Sequence, residues 1–253
     1  DIYHLKYVKE MHQNVIRLEG VPVSRRFLDL CDKEGILIQH GITCVNWWEQ
    51  SQYWREEDYA VARESVRSLF SVLRNHPSFL CWLMSSDFPC TPAAEDMYLQ
   101  LIKDFPIGVP VIGNSAKKHT EKLGPTGMIH GPYDFVPPIF WYQGGALHFN
   151  TECGPDCCIP ELDTIQKTLP KKTQQHPKST AWSRHCGLQL YVNTKSSDQA
   201  LKKRYGVTPD NMQRFGYYAQ VQGYEVWRAM YEAWARNYPK STGVIGWMFN
   251  SAP

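Results

Sequence analysis

The sequence predicts an α/β fold, specifically a (β/α)8 TIM barrel lacking its first strand in this chain, and three observations lead there. Short apolar runs alternate with amphipathic helical patterns, the order expected of parallel strands covered by helices. The alternation gives about seven strands with no internal repeat. Polar residues gather where those strands end: Arg17 and Glu19, Asn46, Asp87, Tyr133 and Asp134, Asn150 and Glu152, and Asn250. Barrels place their chemistry at the C-terminal ends of strands, which favours a barrel over a doubly wound sheet.

The elements follow in order. The chain opens inside a helical pattern, and residues 14–20 then read as a strand. A helix over 24–33, punctuated by Gly35, leads to a second strand over 36–42. Asp58 is placed to cap a helix reaching Asn75, with Ala62, Val66, Leu69, Phe70 and Leu73 on one face. His76-Pro77 ends it. Residues 79–84 form a buried strand that runs out at Ser85-Ser86-Asp87, and a helix over 93–104 follows. Further strands are expected at 109–113, 128–131 and 146–152, with a helix over 160–169 and a basic, proline-containing surface loop over 170–180. The strongest helix spans 212–237, with Phe215, Ala219, Val226, Met230 and Ala233 as its stripe and Pro239 as its stop. A strand over 244–249 closes the chain.

With 253 residues and 43% hydrophobic content, residues 1–253 can bury one sizeable core and are expected to form a single domain. A formal charge of +2, from 27 well-mixed basic and 25 acidic residues, offers no footprint for nucleic acid. No apolar run approaches the roughly 18 residues of a membrane span. Nine Trp, 14 Tyr and 10 Phe suit the stacking of flat sugar faces, and equally suit a large core. Eight cysteines, an even number, permit disulfides in a secreted or lysosomal setting, although no N-x-S/T sequon accompanies them. The chain begins at Asp1 without Met or a signal peptide, as a processed or partial product does.

Two residues stand out chemically. Retaining glycosidases need two carboxyl groups about 5 to 5.5 Å apart, one to protonate the leaving oxygen and one to attack the anomeric carbon. Asp87 and Glu152 each end an apolar strand and are each followed within two residues by Pro or Gly. Three strands separate them, so both are expected to face one pocket. The plainer alternative for each is a strand-end carboxylate that caps a helix or pairs with an arginine.

The segments NVIRLEG (14–20), RNHPSFLCWLMSSD (74–87), GPYDFVPP (131–138), FNTECGP (149–155) and GVIGWMFNSA (243–252) resemble glycoside hydrolase family 2. Within it they most resemble the exo-β-D-glucosaminidase branch, which releases glucosamine from the ends of chitosan. The resemblance covers nearly the whole chain and implies that Asp87 is the general acid/base and Glu152 the nucleophile. Most of the wider clan has Asn-Glu at the acid/base position, whereas Ser86-Asp87 matches the glucosaminidase branch. The β-mannosidase pattern carries Trp where this chain has Glu19, a carboxylate suited to a charge-assisted contact with a 2-ammonium group. An ion pair with Arg17 on the same strand face is the competing use of Glu19. The branch usually has a basic residue after RLEG, whereas this chain has Val21-Pro22.

By the same resemblance Tyr133, Asp134, Trp141 and Tyr142 wall the pocket and Trp247 floors it, although core packing is as ordinary a fate for any one aromatic. Trp47 and Trp48 carry the same ambiguity. Cys153, Cys157 and Cys158 lie beside the nucleophile, but CxxxCC is not a tetrahedral metal pattern, so a disulfide bracing that loop is expected rather than zinc. The implied reaction is double displacement on a β-linked amino-sugar oligosaccharide, with no metal or organic cofactor. Asp87 is expected to have its pKa displaced upward relative to Glu152. The rival functions are a β-mannosidase and a sugar-binding or structural barrel without turnover. Because the family's first barrel strand and β-sandwich domains are missing, other domains or chains are expected to complete the barrel.

Overall fold

The computed structural model describes residues 2–19, 23–42, 47–156, 159–171, 180–185 and 194–249. It divides into two compact units, Asp1–Ile129 and His130–Pro253. Asn46 and Asn250, and Cys44, Cys157, Cys158 and Cys186, lie outside the described residues, as does most of the 170–180 loop.

In the first unit α1 (Ile2–Glu10) precedes β1 (Val15–Leu18), α2 (Arg25–Glu34), β2 (Leu37–Gly41), a 3-10 turn at Ser51–Tyr53, α3 (Glu56–Leu73), β3 (Phe79–Leu83), α4 (Pro92–Asp104) and β4 (Val111–Ile112). The four strands form one parallel sheet in the order β1-β2-β3-β4. Register is fixed by pairs such as Arg17 with Gln39, Gly41 with Leu83 and Leu83 with Ile112. An antiparallel hairpin, β5 (His119–Thr120) with β6 (Gly124–Pro125), and the short β7 (Met128–Ile129) complete the unit.

Local chemistry explains these boundaries. Ser24 accepts the N–H of Phe27 to start α2, and Gly35 ends it at a φ of 70°, where a side chain is strained. Asp58 does cap α3, but from the third position: the helix begins at Glu56 and the carboxylate reaches back to the N–H of Arg55 at 2.9 Å. The expected stripe of α3 is its buried face, with Ala62, Val66, Phe70 and Leu73 fully packed. Phe70, Trp82 and Tyr98 then meet edge to face, with centroids 4.9 and 5.4 Å apart, and so join α3, β3 and α4. Glu95 is wholly buried on α4, and its carboxylate accepts the N–H groups of Lys122 and Leu123, tying the hairpin turn to the helix.

The second unit holds α5 (Pro138–Phe140) running into a π-turn at Trp141–Gly145, then β8 (His148–Cys153), α6 (Leu162–Thr168), α7 (Thr180–His185), α8 (Thr194–Tyr205), α9 (Met212–Arg236) and β9 (Ser241–Gly246). β8 and β9 are parallel. The last strand therefore begins before the expected 244, because His148 pairs with Ser241 and the N–H of His148 reaches the carbonyl of Lys240. α8 was not anticipated: its buried side is Ser197, Ala200 and Leu201, too small and polar to write an apolar stripe. The class is thus parallel α/β, with the 109–113 and 128–131 strands shortened to two residues each.

Asp32 in the last turn of α2 fastens the exit of α3, accepting the N–H of Ser78 at 2.9 Å and lying 2.6 Å from His76 Nδ1. Burial pushes its pKa up, but the hydrogen bonds from Ser78 and His76 outweigh it and hold the carboxyl below its usual value. A depressed native pKa stabilises the fold above the unfolded value, and that contribution is lost as pH falls through the native one. Asp32→Asn is expected to cost about 1–3 kcal/mol at neutral pH in urea unfolding. Its deficit relative to the unaltered chain should close as pH falls below about 4.

Candidate functional site

In the first unit the site is built on a buried arginine. Arg17 and Glu19 project on one side of β1 and its exit, as alternate residues do. The Arg17 side chain is 5% exposed, and its Nη2 donates to Glu19 Oε1 at 2.7 Å, to Ser86 Oγ at 2.7 Å and to Ser115 Oγ at 3.2 Å. Ser86 Oγ also donates to Glu19 Oε1 at 2.5 Å. Glu19 therefore makes the ion pair that the sequence left as its competing use. Its other oxygen, Oε2, has no hydrogen-bond partner among the described residues, and its side chain is 29% exposed.

Asp87 follows directly, half-buried beyond the end of β3. Its backbone N–H and that of Ser86 both donate to Glu49 Oε1, at 2.9 and 3.1 Å. Phe88, the next residue, is exposed with the ammonium of Lys118 4.0 Å above its ring. Sequence reasoning missed Glu49 and Ser115. Neither sits in an apolar run that ends on it: Glu49 lies in a turn between aromatics, and Ser115 follows a strand of only two residues.

In the second unit Glu152 is 6% exposed near the end of β8. Pairing with β9 shifts register between Asn150 and Cys153, so the strand is irregular at Glu152 itself. Asn150 organises the irregularity: its Oδ1 accepts the Glu152 N–H at 3.1 Å and its Nδ2 donates to the Gly131 carbonyl at 2.7 Å. The Tyr133 hydroxyl donates to Glu152 Oε1, and His130 Nδ1 lies 3.3 Å from that hydroxyl and 4.0 Å from Oε1. Trp247 packs edge-on against Tyr133 with centroids 5.3 Å apart. Gly154 is required here, since a Cβ would stand 2.8 Å from the Trp247 carbonyl oxygen.

The remaining sequence candidates divide. Tyr133 and Trp247 join Glu152, and His130 stands beside them. Trp141 does not line an open wall: it is fully buried between Phe140 and Trp234, because the π-turn folds its indole inward. Tyr142 donates to Glu232 at 2.6 Å, toward the end of α9, and Asp134 is exposed without a hydrogen bond or ion pair among the described residues. Trp48 and Trp54 pack edge to face in the first unit's core, while Trp47 is exposed and donates to Asp58 at 3.0 Å. In that unit Asp29, Asp32 and His76 also bring three ligand atoms together, but His76 and Asp32 are already spent on one another and on Ser78.

The disulfide expectation fails at Cys153, a free and fully buried thiol that donates to the Pro132 carbonyl at 3.7 Å. Cys31, Cys81 and Cys90 are free as well. Burial, reinforced by the charge of Glu152, pushes the Cys153 thiol up to about 12. Burial then the Cys153 charge likewise push Tyr231 to about 12.

No protein-family model matches the chain. It is 36% identical to an exo-β-D-glucosaminidase of Streptomyces avermitilis, over 98% of this chain and 29% of that protein. Among solved structures it is similar to the exo-chitosanase CsxA of Amycolatopsis orientalis, held as an Asp→Ala variant in complex with PNP-β-D-glucosamine. That match has a TM-score of 0.85 at 33% identity and covers 98% of this chain and 32% of that one. It also shares its fold with a β-D-mannosidase of Dictyoglomus thermophilum, at a TM-score of 0.77 and 16% identity, over 99% of this chain and 33% of that one. The chain spans between about a quarter and a third of the length of the curated relatives it matches.

Only thiolates alkylate readily. Iodoacetamide at pH 8 is therefore expected to leave Cys31, Cys90 and Cys153, all raised to about 12, unmodified in the folded protein. Site-resolved mass spectrometry before and after denaturation checks this, with labelling expected only after unfolding.

Proposed function

We propose that the chain carries the catalytic centre of a retaining exo-β-D-glucosaminidase of glycoside hydrolase family 2. In this reading it supplies all but the first strand of a (β/α)8 barrel, as one catalytic domain of a larger polypeptide. Its substrate is a β-linked amino-sugar oligosaccharide cleaved at the non-reducing end. One observation carries the choice of sugar: Glu19 is anchored through Oε1 by Arg17 and Ser86, while Oε2 stays open beside the Asp87 segment. A carboxylate so held cannot swing away, and its open oxygen suits the N–H of a 2-ammonium group better than a 2-hydroxyl.

The reaction follows from the two acids. Asp87, protonated, gives its proton to the glycosidic oxygen as Glu152 attacks the anomeric carbon and the C–O bond to the leaving sugar breaks. Asp87, now ionised, takes a proton from water, which displaces Glu152 and restores the β configuration. The Tyr133 hydroxyl and the Asn150 bond to the Glu152 backbone orient the nucleophile before substrate arrives. The similar exo-chitosanase supports the assignment by residue type, since both an Asp→Ala and a Glu→Ala variant of it are held in complex with PNP-β-D-glucosamine. The β-mannosidase likeness speaks only for the fold.

Nitrophenyl β-glucosaminide and β-mannoside, offered to the full-length protein, test this directly. Glucosaminide turnover is expected to dominate, and Asp87→Ala to lower it by about 10²–10⁴-fold, the usual worth of a general acid. Glu152→Ala should abolish it, and unchanged rates in both variants would end the assignment. Glu19→Gln tests recognition separately. Loss of a hydrogen bond to a charged group, about 1.5–3 kcal/mol, should lower kcat/KM for the glucosaminide by about 10-fold or more while sparing the corresponding β-glucoside.

A further inference from the structure

Asp87 has no regular structure to hold it, because it lies four residues past the end of β3 and five before α4 begins. Its segment is nevertheless fastened along its length. The Ser115 N–H donates to the carbonyls of Ser85 and Ser86, at 3.2 and 3.1 Å. Glu49 Oε1 takes the N–H groups of Ser86 and Asp87, and Ser51 Oγ takes that of Thr91 at 2.8 Å. The Glu49–Ser51 stretch thus grips both ends of the segment between β3 and α4. It is itself rigid: the Trp54 indole donates to the Trp47 carbonyl at 2.7 Å, and Trp54 packs edge-on against both Trp48 and Tyr59.

We propose that Glu49 is the positioning residue of the acid/base, its carboxylate fixing the peptide from which the Asp87 side chain springs. The inference rests on the glycosidase reading and deepens it. One oxygen accepting two adjacent N–H groups sets the orientation of the Ser86-Asp87 peptide plane, and a charged acceptor makes both bonds strong. A general acid is sensitive to such placement, since a shift of about 1 Å costs on the order of 100-fold in rate. The bonds that Glu49 accepts from the Ser86 and Asp87 N–H groups are the route by which it acts on the acid/base.

Leaving-group dependence separates positioning from mere support. Phenol must be protonated as it leaves, whereas 2,4-dinitrophenolate departs unaided, so only the phenyl substrate needs a well-placed acid. In the full-length protein Glu49→Ala is expected to lower kcat/KM for phenyl β-glucosaminide by about 10–100-fold and to change that for 2,4-dinitrophenyl β-glucosaminide by less than about threefold. Glu49→Gln, which keeps a carbonyl acceptor, should recover most of the phenyl activity. If Glu49→Ala does not fold, Glu49→Asp draws the carboxylate back by one methylene and should show the same selective loss. Equal losses on both substrates, or no loss on either, would overturn the proposal. An unaltered protein inactive on the dinitrophenyl substrate would instead overturn the glycosidase reading on which it stands.

Discussion

A guanidinium withdrawn from water has to spend its charge inside the protein, and the first unit is arranged around that requirement at Arg17. A buried charge left unmatched costs several kcal/mol, whereas one surrounded by acceptors is tolerated. Arg17 meets a carboxylate from the end of β1, a hydroxyl from beyond β3 and a hydroxyl from beyond β4. Three strand exits that are separate in sequence are thereby drawn to one cation. The parallel register makes this possible, since it brings the C-terminal ends of β1 to β4 to one edge of the sheet. Glu19 takes its place from that contact set, which also reaches the Asp87 segment through Ser86.

The second unit solves a different problem, that of holding a carboxylate steady where a strand departs from regularity. Between Asn150 and Cys153 the β8 ladder slips against β9, which frees the Glu152 backbone from ordinary pairing. Asn150 supplies the missing acceptor with one side-chain atom and fastens the Gly131 carbonyl with the other. The Gly131 N–H returns to the Glu152 carbonyl at 2.7 Å, so the 130–133 segment is laced to the strand on both sides. Tyr133 is carried by that segment, and its hydroxyl reaches Glu152 because its backbone is pinned. Buried Cys153 and half-buried Tyr231, both raised to about 12, stay neutral at ordinary pH, which leaves Glu152 without a competing charge from those two groups.

What the sequence made legible depended on how local the signal was. Ser24, Gly35 and Asp58 act on their own helix ends, and the stripes of α3 and α9 express one buried face each, so all could be placed from spacing. Asp87 and Glu152 were singled out as carboxylates near strand ends, and both lie there: Asp87 past β3 and Glu152 near the end of β8, just before Cys153. Glu49 was not singled out, since its role consists of two backbone contacts to residues nearly forty positions away, and no periodicity encodes them. Trp141 misled as well. The family resemblance suggested a wall, but the indole is fully buried against Phe140 and Trp234. The cysteine cluster suggested a disulfide beside the nucleophile, but Cys153 is a free thiol buried against the Pro132 carbonyl, and Cys157 and Cys158 lie outside the described residues.

Three acids crowd the strand exits of the first unit, and the partners each one faces separate their tasks. Glu49 spends an oxygen on two peptide N–H groups, which makes it an anchor for the main chain. Glu19 spends an oxygen on a guanidinium and a hydroxyl, which immobilises it while leaving Oε2 for an incoming donor. Asp87 is held through its backbone N–H, and in the proposed reaction its carboxyl is the group that meets the substrate oxygen. In the proposed function identical side-chain chemistry serves as scaffold at Glu49, recognition at Glu19 and proton transfer at Asp87. The same logic accounts for aspartate at position 87: with the main chain clamped from Glu49 and Ser115, a shorter side chain has fewer torsions through which to stray from the position that the clamp assigns it.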